Sequence, residues 1–247
     1  MSYLPFPNHS VRGDGVTRSI RRRDRHRPVA GPEREIYHAP GGRANVGLYD
    51  RYLALRLRSS DADLPETVAV IVTERDLLEA DAYETLEACF RWAFEFGAER
   101  VVVYVSVLDT EVVDTIRREL ADVDAPRELA VRGPGDAEQA DTPIQVGIGL
   151  GGKHEFAAAV RGLAEEVESG ELAPEDIDEA AIEGELVFPV QPDLVIKTGA
   201  ERLSDFMIWQ SVYSELYFTD VNWRDFRRRD YLRALRDYQN RQRRFGR

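Results

Sequence analysis

Lysine is almost absent from this chain: Lys153 and Lys197 are the only two among 33 basic residues. Arginine therefore carries nearly all the positive charge against 45 aspartates and glutamates, and the net charge is -12. An acidic surface so poor in lysine suits a protein kept soluble in concentrated salt, where long-range repulsion is screened, and it points to a halophilic host. The same acidity argues against generic nucleic-acid binding. Cysteine is limited to Cys89, which excludes an internal disulfide framework. No apolar run approaches the roughly 20 residues that a membrane span needs, and the first residues lack the apolar stretch of a secretory signal. A cytoplasmic protein is the simplest reading. Histidine offers no metal site: His9, His26 and His38 have no ligand spacing, and solvation explains His154, at the start of a helical pattern, better than catalysis.

What is present divides into two textures. Residues 1 to about 45 are rich in Pro and Gly, low in aliphatics, and contain the run Arg21, Arg22, Arg23, Arg25, Arg27. Such a segment cannot bury enough apolar surface to offset its ordering entropy, so it reads as a disordered tail. The run is either an arm for anionic lipid or nucleic acid, or a solvated tail with no partner. Residues 46–247 have the composition of one domain with one core, in a chain that is 43% hydrophobic.

Val68–Val72 and Val101–Val107 are continuous apolar runs of strand length. Between them Tyr83, Leu86, Phe90, Ala93 and Phe94 recur at helical spacing, with Gly97 placed to end that helix. Leu129–Val131, Ile144–Ile148 and Asp193–Ile196 are further strand candidates. Helices are expected over 110–121, 155–169, 174–183, 205–217 and 226–244. Buried-type strands alternating with amphipathic helices predict an α/β fold, a single domain with a mostly parallel central sheet flanked by helices.

The stretch Asp193–Ser204, DLVIKTGAERLS, carries a chemical signal: a strand end, a Gly-containing turn, the cations Lys197 and Arg202, and Ser204 as a helix N-cap. Free backbone N–H groups and the positive helix end would face a diphosphate-type anion there. The longer stretch Pro192–Phe226, PDLVIKTGAERLSDFMIWQSVYSELYFTDVNWRDF, closely resembles the C-terminal signature of undecaprenyl diphosphate synthases and other cis-prenyltransferases. Gly149–Phe156, GLGGKHEF, is similar to the family's YGGR-E-I turn, and Leu48–Leu53, LYDRYL, resembles the helix before the first strand of archaeal members. The resemblance spans most of residues 48–247. It implies that Arg202 and Ser204 hold the diphosphate of isopentenyl diphosphate. Lys197, where the family has arginine, keeps the charge but gives up the bidentate fork. It further implies that Glu215 helps to hold Mg²⁺, and that Arg244-Phe245-Gly246 is the Arg-x-Gly tail by which one subunit of a dimer completes its neighbour's site. Arg244 and Gly246 then join the substrate-binding set.

The N-terminal half departs from that pattern. Active members follow the first strand with M-D-G-N-x-R-W, whose aspartate binds Mg²⁺ and whose other residues cradle the allylic diphosphate. Here the strand is followed by Thr73-Glu74-Arg75-Asp76, and a hydroxyl is a poor substitute for a carboxylate on a hard dication. Glu74 and Asp76 stand one and three positions away and cannot be re-aimed without rebuilding the loop. The segment between strand one and its helix is more than ten residues shorter than in typical members. The expected F-S-T-E-N after the second strand reads Ser106-Val107-Leu108-Asp109-Thr110.

The resemblance, with these losses, implies a noncatalytic or weakly active partner subunit of polyprenyl diphosphate synthesis, with no catalytic residue of its own. It would pair with an active paralogue or with itself, using Tyr213, Tyr217, Phe218 and Trp223 at the interface. The alternatives are an active homodimeric synthase that uses Asp76, Asp109 or Glu215 for metal, and a non-enzymatic isoprenoid- or diphosphate-binding protein. Peripheral membrane contact is left open.

Overall fold

The structure is a computed structural model that describes residues 43–136, 139, 141–199 and 207–245. The tail expected over 1–45 lies outside these residues as far as position 42, and helix α1 (Arg43–Arg58) begins just after it. The run Val68–Val72 becomes β1 (Thr67–Thr73) and Val101–Val107 becomes β2 (Arg100–Ser106). Short α2 (Glu74–Leu77) and α3 (Ala82–Glu95) connect them. After β2 come α4 (Val113–Ala121), β3 (Leu129–Arg132), β4 (Ile144–Ile148) and α5 (Gly152–Ser169). The chain continues through α6 (Glu179–Gly184), β5 (Leu194–Thr198), β6 (Glu215–Thr219) and α7 (Arg228–Phe245).

The six strands form one sheet in the order β3-β4-β2-β1-β5-β6, and every pairing is parallel. Central strands that are covered on both faces read as near-continuous apolar runs. In β1 and β2, Val68, Ala69, Val70, Ile71, Val72, Val101, Val102, Val103 and Val105 are all at most 1% exposed. Val68, Val70 and Val72 face the larger core with Leu53, Phe90, Ile116, Trp223, Phe226 and Tyr231. Ala69 and Ile71 face a smaller one with Leu150, Phe188 and Met207. The Trp223 indole N–H donates to the carbonyl of Ala82 at 3.0 Å and its ring stacks on Phe226, which ties the segment before α7 to the start of α3. Cys89 is core, as its spacing predicts, and burial pushes its thiol up to about 12.

One expected helix is absent. Residues 207–214 form turns and 215–219 form the edge strand β6. The helical spacing of Trp209, Tyr213 and Leu216 is outweighed by sheet pairing. Leu216 and Tyr217 pack against opposite sides of the sheet, and Met207 takes a left-handed φ of 33° that a continuous helix does not allow. The helix expected over 174–183 is a 3-10 turn followed by α6, because the Asp178 carboxylate caps a fresh start by accepting from the N–H of Ala181.

Candidate functional site

In an open parallel sheet, ligands bind beyond the C-terminal strand ends, where neighbouring connections leave in opposite directions. Here β1 leads toward β2 and β5 leads toward β6, so the crevice lies between the ends of β1 and β5. Register brings Ile71 beside Lys197, which places Thr73 and the Lys197-Thr198-Gly199 turn at one end of the sheet. The sequence placed its expected anion loop, and its departure from the family's aspartate motif, on these two segments.

On the β1 side the acids are engaged. Thr73 is the N-cap of α2: its hydroxyl accepts from the N–H of Asp76 and donates to the Asp76 carboxylate at 2.8 Å, which also accepts the N–H of Thr73. This reciprocal capping box holds the Asp76 carboxylate on the protein's own backbone. Glu74 is buried, and its carboxylate accepts the N–H groups of Leu108 (2.9 Å) and Asp109 (3.3 Å). It therefore pins the loop after β2 to the loop after β1. Asp109 in turn caps a 3-10 turn by accepting from the N–H of Glu111.

On the β5 side Lys197 is 3% exposed and donates to the carbonyl of Thr198 at 2.6 Å. The φ of Gly199, +75°, turns the chain after the strand, and its N–H is held by the carbonyl of Val221. Arg202, Ser204 and Gly246 lie outside the described residues, and Arg244 falls in the last turn of α7 with its side chain outside the description. Glu215 opens β6 instead of riding a helix. Its register partner is Leu194, at the start of β5, and its carboxylate pairs with Arg241 at 2.9 Å. Val68 shares that level in the sheet, so Glu215 is about five strand rises, roughly 16 Å, from the level of Thr73. Tyr213 and Phe218 are exposed, Tyr217 is half-buried and Trp223 is fully buried, so three of the four expected interface aromatics reach the surface.

Mg²⁺ requires several hard oxygen ligands around one point. Among the described residues no group of three or more histidine, cysteine or acidic side chains stands close enough to hold a metal; Asp76, Glu74 and Asp109 each accept backbone N–H groups through one carboxylate oxygen, and Glu215 lies at the other end of the sheet in an ion pair with Arg241.

Two residues of the site were not singled out from the sequence, although each lies in a stretch quoted for the resemblance. Glu155 in α5 is buried and accepts the N–H groups of Val187 and Phe188 and the side-chain amide of Gln210. Burial raises its carboxyl above the ordinary 4.5, against the opposing pull of those hydrogen bonds. Gln210 also donates to the carbonyl of Phe188 at 2.9 Å. Together they fix the segment after Met207 against α5. Gly152 makes the same junction close, since a Cβ there would stand 2.9 Å from the N of Ile208 and 3.0 Å from that of Met207. Beside it, Leu150, His154, Glu155, Ala158 and Arg161 line a cavity of about 490 Å³. Both His154 and Lys153 are exposed.

Residues 130–246 match the model of a family described as undecaprenyl diphosphate synthase. The tritrans,polycis-undecaprenyl-diphosphate synthase (geranylgeranyl-diphosphate specific) of Methanocaldococcus jannaschii is 54% identical over 109 residues, 42% of this chain and 39% of that protein. The synthase of the same name from Methanopyrus kandleri is 33% identical over 252 residues, covering 81% of this chain and 90% of that one. The short-chain Z-isoprenyl diphosphate synthase of Mycobacterium bovis is 33% identical, with 81% and 95% covered. The crystal structure of lavandulyl diphosphate synthase from Lavandula x intermedia, in complex with dimethylallyl diphosphate, superposes with a TM-score of 0.59 at 24% identity, covering 71% of this chain and 95% of that one. That likeness concerns the fold.

Proposed function

This chain belongs to the cis-prenyltransferase family of undecaprenyl diphosphate synthases, and we propose that within it the protein is a partner subunit, inactive or barely active alone, that pairs with an active paralogue in making polyprenyl diphosphates. The observation that carries this reading is the structural employment of Glu74, Asp76 and Asp109, each hydrogen-bonded to backbone N–H groups at the place where the reaction needs a metal-binding carboxylate. The chemistry ionises an allylic diphosphate, and preorganised charge on the leaving group typically supplies several kcal/mol of barrier reduction. Without that charge, turnover falls by orders of magnitude.

The sheet supports the same reading. The edge next to the site favours a second chain: Val212, Tyr213 and Phe218 are 65%, 89% and 55% exposed beside the unpaired side of β6. In this proposal Lys197, Arg202 and Ser204, with Arg244 and Gly246 at a subunit junction, serve the diphosphate of isopentenyl diphosphate. Mg²⁺ is supplied in the active subunit. Glu215 reaches such an ion only across the junction and only after releasing Arg241.

The test incubates the purified chain, with and without an intact paralogue, with an allylic diphosphate, labelled isopentenyl diphosphate and Mg²⁺ in high salt. Little elongation alone, with a changed rate or product length on mixing, is expected. Robust elongation by the chain alone supports an active homodimeric synthase; the relatives matched over most of their length carry the names of diphosphate synthases. No effect on mixing, with isopentenyl diphosphate still bound, supports a non-enzymatic binding protein.

A further inference from the structure

The outward face of α1 is apolar. A helix packed on a protein normally turns its apolar stripe inward and its polar side out. In α1 the inward stripe is Leu53, Ala54 and Leu57, all buried against the core. The residues diametrically opposite are Leu48 (64% exposed), Tyr52 (52%) and Leu55 (70%). At 100° per residue these three fall within about 60° of one another, centred away from the core. A lone exposed leucine is ordinary, whereas three large apolar side chains on one solvent-facing stripe mark a surface with a partner.

Charge identifies that partner. In a chain of net charge -12, α1 contains four arginines and one aspartate, and α7 beside it contains seven arginines and two aspartates. Arg51 and Arg58 flank the stripe on one side and Arg56 on the other. Arg233 of α7 lies over the ring of Tyr49 at 5.6 Å, and Arg236 lines a crevice together with Arg56. Some of this charge is locally answered, since Glu95 pairs with Arg58 and Asp230 with Arg233. The balance of the layer is nonetheless basic on an otherwise acidic molecule. An apolar stripe bordered by arginines that can extend to headgroup phosphates is the arrangement by which a surface helix lies in the boundary of an anionic bilayer.

We propose that α1 is an interfacial membrane anchor: Leu48, Tyr52 and Leu55 enter the headgroup–acyl boundary of an anionic lipid surface while Arg51, Arg56 and their α7 neighbours bind its phosphates. This inference does not depend on whether the chain is catalytic.

The experiment is co-sedimentation of the full chain with phosphatidylcholine vesicles containing, or lacking, roughly a third of phosphatidylglycerol. The same is done for a variant with Leu48→Ser, Tyr52→Ser and Leu55→Ser. The wild type should bind the anionic vesicles, and the triple variant should bind at least about tenfold more weakly. Because all three side chains are exposed, the variant should unfold at an unchanged temperature. The Arg21–Arg27 run is present in both proteins and cannot produce the difference. Equal binding of wild type and variant would overturn the proposal by assigning lipid affinity to arginine charge alone. Absence of wild-type binding, with the variant shifting from dimer to monomer in light scattering, would overturn it in favour of a second copy on the same stripe.

Discussion

Thr73 stands where the family resemblance places a metal-binding aspartate, and in the structure it is a helix N-cap. As an N-cap it fixes α2, and its exchange of hydrogen bonds with Asp76 engages one oxygen of that carboxylate. Thr73→Asp restores the family residue type, and aspartate is also a good N-cap, so the fold should tolerate it. The variant alone should still fail to elongate in the labelled isopentenyl diphosphate assay, because Glu74 and Asp109 remain bound to backbone. Mg²⁺-dependent turnover by the variant would show that a single missing carboxylate was the whole defect. Glu155 gives a prediction with a sign. Its folded-state proton affinity is raised by burial, so the protonated form is favoured on folding: the contribution is complete below the ordinary 4.5 and is lost as pH rises through the higher folded value. Glu155→Gln keeps an oxygen for the Val187 and Phe188 amides and cannot ionise. In urea titrations from pH 4.5 to neutrality it should therefore gain stability relative to wild type, and parallel curves would refute the assignment. Glu155→Ala leaves three donors without an acceptor and should cost about 3 kcal/mol or more.

At the scale of elements, the edge strand β6 and the turns before it present Val212, Tyr213 and Phe218 to solvent. Serine at all three should change folding stability by only about 0.5 kcal/mol per site, the usual range for exposed positions. It should weaken association with the paralogue by at least about tenfold in sedimentation velocity, because exposed aromatics of this kind carry interface energy. If association is unaffected, the partner sits elsewhere. The same region marks the limit of what the sequence discloses. β1 and β2 are legible because a strand buried on both faces reads as a continuous apolar run, and few helices of that length do; β4 and β5 show the same signal in weaker form, with Gln145 and Lys197 buried among their aliphatic residues. Strand β6 is not legible, since ELYFT is short, half-exposed and preceded by residues at helical spacing; its strand state comes from pairing with β5, a contact that no local window contains. The site divides in the same way. Thr73 could be singled out from the sequence as a departure from the family pattern, but the use made of Glu74 depends on backbone groups 34 and 35 residues away, and that of Glu155 on groups 32, 33 and 55 away.

For the whole molecule, the uneven charge distribution predicts two salt dependences of opposite sign. The chain as a whole repels itself, with 45 acidic residues against 33 basic ones. Raising salt from 0.1 M to 1 M shortens the screening length from about 10 Å to about 3 Å. Self-repulsion then weakens, so the thermal unfolding midpoint should rise across that range. The arginines of α1 and α7 act on an external anionic surface, and the same screening removes their attraction to it, so vesicle affinity should fall as stability climbs. The fall should not reach zero, because burial of Leu48, Tyr52 and Leu55 in lipid is apolar and salts that strengthen apolar burial preserve it. In 1 M salt the residual binding should therefore be lost on the Leu48→Ser, Tyr52→Ser, Leu55→Ser substitution and be nearly indifferent to Arg51→Gln and Arg56→Gln. At 0.1 M both sets should matter. Stability and vesicle affinity that moved together with salt would mean that one undivided electrostatic field governs both, and the separation of this molecule into an acidic body and a basic, partly apolar helical layer would lose its functional meaning.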